Sequence, residues 1–335
     1  MILSTKSNSL FKIFVLLFFF FGYRNAYTQG EVSIPDAASA PDIPTGAVSD
    51  LENVVAYGNL DPNAVPSDNF DLSTWKLKIP SDDDENGKPD SVSEDVLSMG
   101  YQNKEYFYTG PDGGLVFKCP VAGAANSKSS KYARAELREM LRGGDTGIRT
   151  QGVNKNNWVL SSAPRKDIKT AGGVDGELTV TLAINHVTTT GSRKHIGRVV
   201  IGQIHANSDE PVRIYYRKLK HNELGSIYFA HEINHGDDGY YEMIGRRADT
   251  GSNPIGGIAL NEKFTFKIKV KGNKMWVTII REGKEDLVQF VDMRKSGYDE
   301  GGQFLYFKTG LYNANNSGDA DDYVQATFYK IEKTH

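Results

Sequence analysis

The chain has 335 residues, 39% hydrophobic and 24% charged, a globular composition long enough for one large β domain or two smaller ones. Its formal net charge is −3, and residues 1–30 carry three positive and no negative side chains, which leaves the remainder at −6. That balance argues against sequence-independent nucleic-acid binding, and a lone cysteine, Cys119, excludes an intramolecular disulfide and a thiolate metal cluster. Lys6 and Lys12 precede an apolar run over 13–21 that is short for a bilayer span, so residues 1–30 read as a signal peptide cleaved between Ala26 and Gln29. The expectation is an exported protein, periplasmic or extracellular, with an uncleaved anchor as the competing reading. No cysteine near the segment supports a lipid anchor.

Residues 31–68 are rich in Pro, Ala, Ser, Asn and Asp without sustained periodicity, which reads as a linker or loosely attached arm. The globular part, 69–335, opens where Trp75, Leu77 and Ile79 alternate with Lys76 and Lys78, the pattern of a half-buried strand. Asp82, Asp84, Asn86 and Asp90 then place oxygens at near-alternate positions around Gly87, the first half of a calcium loop. The twelfth position is Ser93, with Glu94 one residue late, so a solvated acidic turn stays open beside a structural calcium site.

The stretch 132–140 contains Arg134, Glu136 and Arg138, which share one face if it is a strand and lie on a short charged helix if it is not. Leu178, Val180, Leu182 and Ile184 alternate cleanly with smaller or polar residues. In 198–207, β-branched residues lead into Gln203 and His205, which project to the same side of a strand. His231-Glu232-Ile233-Asn234-His235 fits the zinc-protease pattern, which works only on a helix. Ile227-Tyr228-Phe229-Ala230 before it is β-like, and Gly236 and Gly239 follow at once, so a helix has nowhere to continue.

Phe264, Phe266, Ile268 and Val270 turn through Gly272-Asn273 into Met275, Val277 and Ile279, a β-hairpin. In 306–313, Tyr306, Lys308, Gly310 and Tyr312 share one face, and a glycine there lets a ligand approach the backbone. Residues 326–331 read as a closing strand. Many strands, 34 glycines and few helix candidates predict an all-β chain, a two-sheet antiparallel sandwich of jelly-roll type.

Taken together, Arg134 to Arg138, Gln203-Ile204-His205 and Tyr306 to Asn313 follow an ordered pattern. The chain resembles alginate lyases of polysaccharide lyase family 7, marked by Arg-x-Glu-Leu-Arg, Gln-Ile-His or Gln-Val-His, and Tyr-Phe-Lys-x-Gly-x-Tyr-Asn strands. Trp75 to Pro80 is similar to the family's first core strand, and the likeness covers about 69–335. It implies a jelly roll whose concave sheet carries the active groove, which makes 134–138 a strand. It also implies a catalytic set of Arg134, Gln203, His205 and Tyr312, with Glu136, Arg138, Tyr306, Lys308 and Asn313 holding substrate. Ala314 stands where family members often have glutamine, which puts one sugar contact in doubt.

The residue types suit that chemistry. Eliminating across C4–C5 of a uronate needs donors on its carboxylate, a base for the C5 proton and an acid for the leaving oxygen. The resemblance assigns Tyr312 as acid, and His205 or Tyr312 as base according to the configuration at C5. The Gln-Ile-His form is associated with guluronate-containing stretches. The expectations are an anionic polysaccharide as partner, no nucleic acid, no membrane after signal removal, a monomer and no cofactor for catalysis. The alternative class is a non-catalytic carbohydrate-binding sandwich, which has no need of both His205 and Tyr312. The loops at 236–239 and 249–257 are expected to wall the groove.

Overall fold

The structure, a computed structural model, describes residues 60–125, 132–248 and 250–335. The expected signal segment and most of the expected arm lie outside the described residues. Within them are eighteen strands and three helices of four to six residues.

Alternation in the sequence becomes alternation in burial. Along Lys263–Lys271 each phenylalanine, isoleucine and valine is buried while the lysines and threonine between them are not. This strand pairs antiparallel with Lys274–Ile280 through the Val270–Met275 register, the expected hairpin. The outer neighbour of Lys274–Ile280 is Leu287–Asp292. Inward follow Gly176–His186, Tyr323–Thr334, Leu115–Pro120 and Phe107–Thr109, which complete a seven-stranded sheet.

The second large sheet runs Asp238–Ile244, Leu224–Glu232, Val212–Arg217, Arg198–His205, Tyr306–Asn313, Arg134–Glu139, Trp75–Lys78 and Ser91–Val92. A ninth strand, Ile258–Ala259, pairs with Leu224–Glu232 off that path. Between the sheets lies a single apolar core to which Trp75, Phe117, Trp158, Phe264, Phe266, Phe307 and Phe328 contribute. This is the two-sheet sandwich expected from the sequence.

Residues 134–139 are a strand although alanine, glutamate, leucine and arginine favour helix. Ala135 and Leu137 enter the core between two flanking strands, and that burial outweighs intrinsic propensity. The attached part of the chain also begins before residue 69. Leu60 packs against the core and Pro66 is buried at the head of the Pro66–Asn69 helix.

Candidate active site

The three motif strands are neighbours at the middle of the nine-stranded sheet. Tyr306–Asn313 lies between the other two, so Tyr306 stands opposite His205, Lys308 stands between Gln203 and Arg138, and Tyr312 stands opposite Arg134. Eight of the nine expected side chains occupy the face turned away from the core: Arg134, Glu136 and Arg138, then Tyr306, Lys308 and Tyr312, then Gln203 with His205. Asn313, expected to hold substrate, points the other way: it is fully buried, donates to the Cys119 carbonyl at 3.2 Å and accepts from the Asn315 backbone. Its position is odd in a strand whose even residues face the site, so it is a structural residue.

Glu136 is the hub. Its carboxylate accepts from the Gln203 amide, contacts the Lys308 ammonium and lies 3.7 Å from Arg134 Nη1. The sequence placed Glu136 between two arginines, but Arg138 goes elsewhere. It donates to the Thr150 carbonyl at 2.6 Å and lies 4.0 Å over the Tyr306 ring. Glu136 thus fixes the orientation of the Gln203 amide, and opposes the downward push that burial gives the Lys308 ammonium.

His205 stacks on Tyr306 with ring centres 5.1 Å apart. Its Nδ1 lies 2.6 Å from the Ala206 carbonyl, which can only accept, so Nδ1 carries the hydrogen and Nε2 is the basic nitrogen. Burial holds the imidazole below its usual value, so it is neutral at pH 7. Tyr312 behaves oppositely. Burial pushes its phenol up to about 12 even with Arg134 4.2 Å over the ring, so it keeps its proton.

Gly310 has a φ of +129°, and a Cβ there would lie 2.6 Å from the Ala135 carbonyl oxygen. The neighbouring strand, rather than a ligand, requires the glycine. A register shift in the adjacent pairing occurs at the same place, between Thr309 and Tyr312. A second shift, opposite Ile214 and Tyr215, lets Arg198 and Val200 join Gln203 and His205 on the site face although their spacing is odd.

Comparison with known proteins fits this geometry. The alginate lyase family profile matches residues 70–335. This chain belongs to the alginate lyases of polysaccharide lyase family 7. A curated alginate lyase from Klebsiella pneumoniae is 55% identical over 279 residues, covering 81% of this chain and 91% of that protein. The crystal structure of the Klebsiella pneumoniae enzyme superposes with a TM-score of 0.80, over 81% of this chain and 98% of that one. An alginate lyase from Pseudomonas aeruginosa is 28% identical, with a TM-score of 0.57 over 79% of this chain and all of that one. The exolytic family 7 lyase of Zobellia galactanivorans shares the fold at 21% identity, with a TM-score of 0.61 over 80% of this chain and 97% of that one.

Several residues of this lyase's site carry no sequence motif. Lys76 and Lys78 stand opposite Arg138 and Glu136 across the next strand pair, and extend the cationic face. Burial, with Arg134, Lys308 and Lys76 nearby, pushes the Lys78 ammonium down to about 8. Beyond His205, Glu210 lies 3.3 Å from Nε2, and Arg213 is shared among Glu210, Glu232 and Asp238. Tyr215 and Tyr228 stack at 4.9 Å to floor that side, with Tyr240 and Tyr312 against them. The alternating lysines of the first strand signalled Lys76 and Lys78; nothing periodic marked Glu210.

Of the two loops expected to wall the groove, the first supplies Asp238 to Arg213. The second packs against the start of Leu224–Glu232, where Asn253 accepts from the Glu223 and Leu224 backbones; Asp249 itself lies outside the described residues. The zinc pattern is dismantled. His231 is the penultimate residue of a strand, with Nδ1 on the Pro211 carbonyl and Nε2 on Ser296, while the His235 side chain is 74% exposed. In the acidic loop, carboxylate oxygens of Asp82, Asp84 and Asp90 converge within 4.8 Å. Backbone donors of Asn86 and Gly87 already occupy Asp82, and Asn86 directs its amide NH₂ to Asp84 at 2.6 Å.

Proposed function

We propose that this alginate lyase is exported and cleaves the 1,4-glycosidic bond by β-elimination, preferring guluronate-containing stretches of the polymer. The observation that carries the reading is the division of protonation states on one sheet face: a neutral His205 and a protonated Tyr312, with Arg134 and the oriented Gln203 amide between strands.

In this mechanism Arg134 and Gln203 bind the uronate carboxylate, so that the charge gathering on it as the C5 proton leaves is met by donors already in place. His205 Nε2 takes that proton. The C–H electrons form the C4–C5 double bond, the C4–O bond breaks, and the leaving oxygen takes the Tyr312 hydroxyl proton. The phenolate is restored by a proton from His205 or solvent. Lys76, Lys78, Arg138 and Lys308 supply the local positive charge that an acidic protein needs to hold a polyuronate.

The guluronate preference rests on the Gln203-Ile204-His205 pattern and on the two-residue division of labour. Ile204 is fully buried, so any influence it has is exerted through packing. An acid and a base on separate residues suit elimination in which proton and leaving group lie on opposite sides of the ring. A single tyrosine serving as both would first have to lose a proton it holds to about pH 12. No step of the mechanism calls for a cofactor.

The test is near-ultraviolet absorbance of the purified protein on guluronate-rich and mannuronate-rich alginate with chelator present. The expected result is a rise, from the double bond conjugated to the carboxylate, that survives chelation and is faster on guluronate-rich polymer. Binding without a rise would leave a carbohydrate-binding sandwich instead.

A further inference from the structure

The carboxylate beside His205 is out of place for a polyanion site. Glu210 lies in the turn joining Arg198–His205 to Val212–Arg217, with its side chain 18% exposed, and it sets Oε1 3.3 Å from His205 Nε2. A negative group there opposes binding of a uronate chain, so its placement calls for a compensating role.

The other groups facing His205 define that role. From Tyr306–Asn313 come the stacked Tyr306 ring and the Lys308 ammonium; from Arg134–Glu139 comes Glu136, which Lys308 neutralises. From Val212–Arg217 comes Arg213, held by Glu210 at 3.7 Å, Glu232 at 3.7 Å and Asp238. Glu232 sits against Glu210, its Oε2 accepting from the Glu210 backbone at 3.2 Å. Burial and the contact with Glu210 push the Glu232 carboxyl up to about 8, while His205 and Arg213 draw Glu210 down against its own burial. Glu210 is therefore the ionised member.

With Nδ1–H committed to the Ala206 carbonyl, a bare Nε2 facing a carboxylate oxygen is a contact between two lone pairs. It becomes favourable when Nε2 gains a proton. We propose that Glu210 is a positioning residue for the reaction: it aims the His205 ring and stabilises the imidazolium that forms as the C5 proton is taken. The proton passes from C5 to Nε2, and Glu210 stays ionised throughout. Burial lowers the basicity of His205, and Glu210 is the largest influence opposing it. The interaction strengthens toward the transition state, which is the condition for raising kcat rather than affinity.

This inference rests on the elimination reading for its kinetic part, and a substrate-free measurement separates the two. In Glu210→Gln, kcat on guluronate-rich alginate falls by about tenfold or more. KM stays level or falls, because a negative charge has left the groove. The acidic limb of the pH–rate profile moves to lower pH by about one pH unit or more, since the base has lost its ionic partner. Glu210→Asp, which keeps the charge at a shorter reach, restores part of kcat and part of the limb's position. NMR titration of the His205 ring in the substrate-free protein shows the same downward movement, whether or not the enzyme eliminates. Absence of an absorbance rise in the unmutated protein overturns the elimination reading alone. An unmoved His205 titration in both variants, or a folded Glu210→Gln protein with unchanged kcat and limb, overturns the role of Glu210. If Glu210→Gln fails to fold, the titration and limb of Glu210→Asp decide, and an unmoved pair overturns the proposal.

Discussion

One strand carries two buried glutamates three residues apart, and they do different things. Glu136 faces the site, where Gln203, Lys308 and Arg134 surround it. Glu139 faces the sandwich interior and is equally buried. It accepts from the Trp158 indole at 3.1 Å and the Phe307 backbone at 3.0 Å, and it meets Lys333 at 3.0 Å and His335 at 2.8 Å. Both are paired and deep within the fold, so burial and ion pairing alone do not mark a functional carboxylate. What separates them is the odd spacing along a strand, which turns one toward the candidate site and the other toward the last strand. Glu136 holds Gln203 and Lys308 in place; Glu139 ties the last strand and its terminal residues to the centre of the opposite sheet.

The widest gap between the two faces is expected in catalysis. His205→Ala and Tyr312→Phe should each lower kcat by about 10²–10⁴-fold, measured as initial absorbance rates, with the melting transition little changed. Loss of comparable size in a folded Glu139 variant would erase the distinction between the faces. The next effect is on stability, where the two glutamates should converge. Glu136→Ala leaves the buried Lys308 without its partner, and Glu139→Ala leaves the buried Trp158 indole and Phe307 N–H without their acceptor, so each should cost about 3–5 kcal/mol in denaturant unfolding. The folded fraction should separate them again, with turnover per folded molecule kept in Glu139→Ala and lost in Glu136→Ala.

Acid sharpens the contrast further. Although burial works against it, bonding to His335 together with Lys333 and the Phe307 N–H holds the Glu139 carboxyl below its usual range. Its contribution is therefore complete above pH of about 4.5 and is lost as pH falls through the lower folded-state value. Unfolding free energy should decline over that window, with a shallower slope in Glu139→Gln. On the site face pH should act through binding. Lys78 loses its charge near pH 8, so KM should rise above that pH, and Lys78→Arg should remove the rise while leaving kcat alone. The smallest effect expected is at the acidic loop, which we propose as a calcium site on the Lys78 side of the sheet. Calcium should raise the melting temperature by about 2–4 °C per kcal/mol of binding, and Asp84→Ala should abolish the rise. No rise would leave a turn held by its own hydrogen bonds.

The sequence alone determined the sandwich, because alternation is local information: Phe264 to Val270, Leu178 to Ile184 and Trp75 to Ile79 each commit a face without reference to any neighbour. Through the resemblance carried by its three ordered motifs it also pointed to Arg134, Gln203, His205 and Tyr312, which the fold brings onto one sheet face. Their meeting on adjacent strands depends on which strands pair, and that is set by burial over the whole chain. Tertiary structure decided the strand state of 134–139, against its helical propensity, and withdrew Asn313 from the site through the parity of its strand. It separated His231 from His235, one pinned near a strand end and the other in solvent. It also carried Glu210 back over His205 through a turn whose sequence shows no period at all. Pattern reports which way a side chain points relative to its own strand; which groups it then meets is a property of register, bulges and turns, and these are fixed only when the sheets close on a common core.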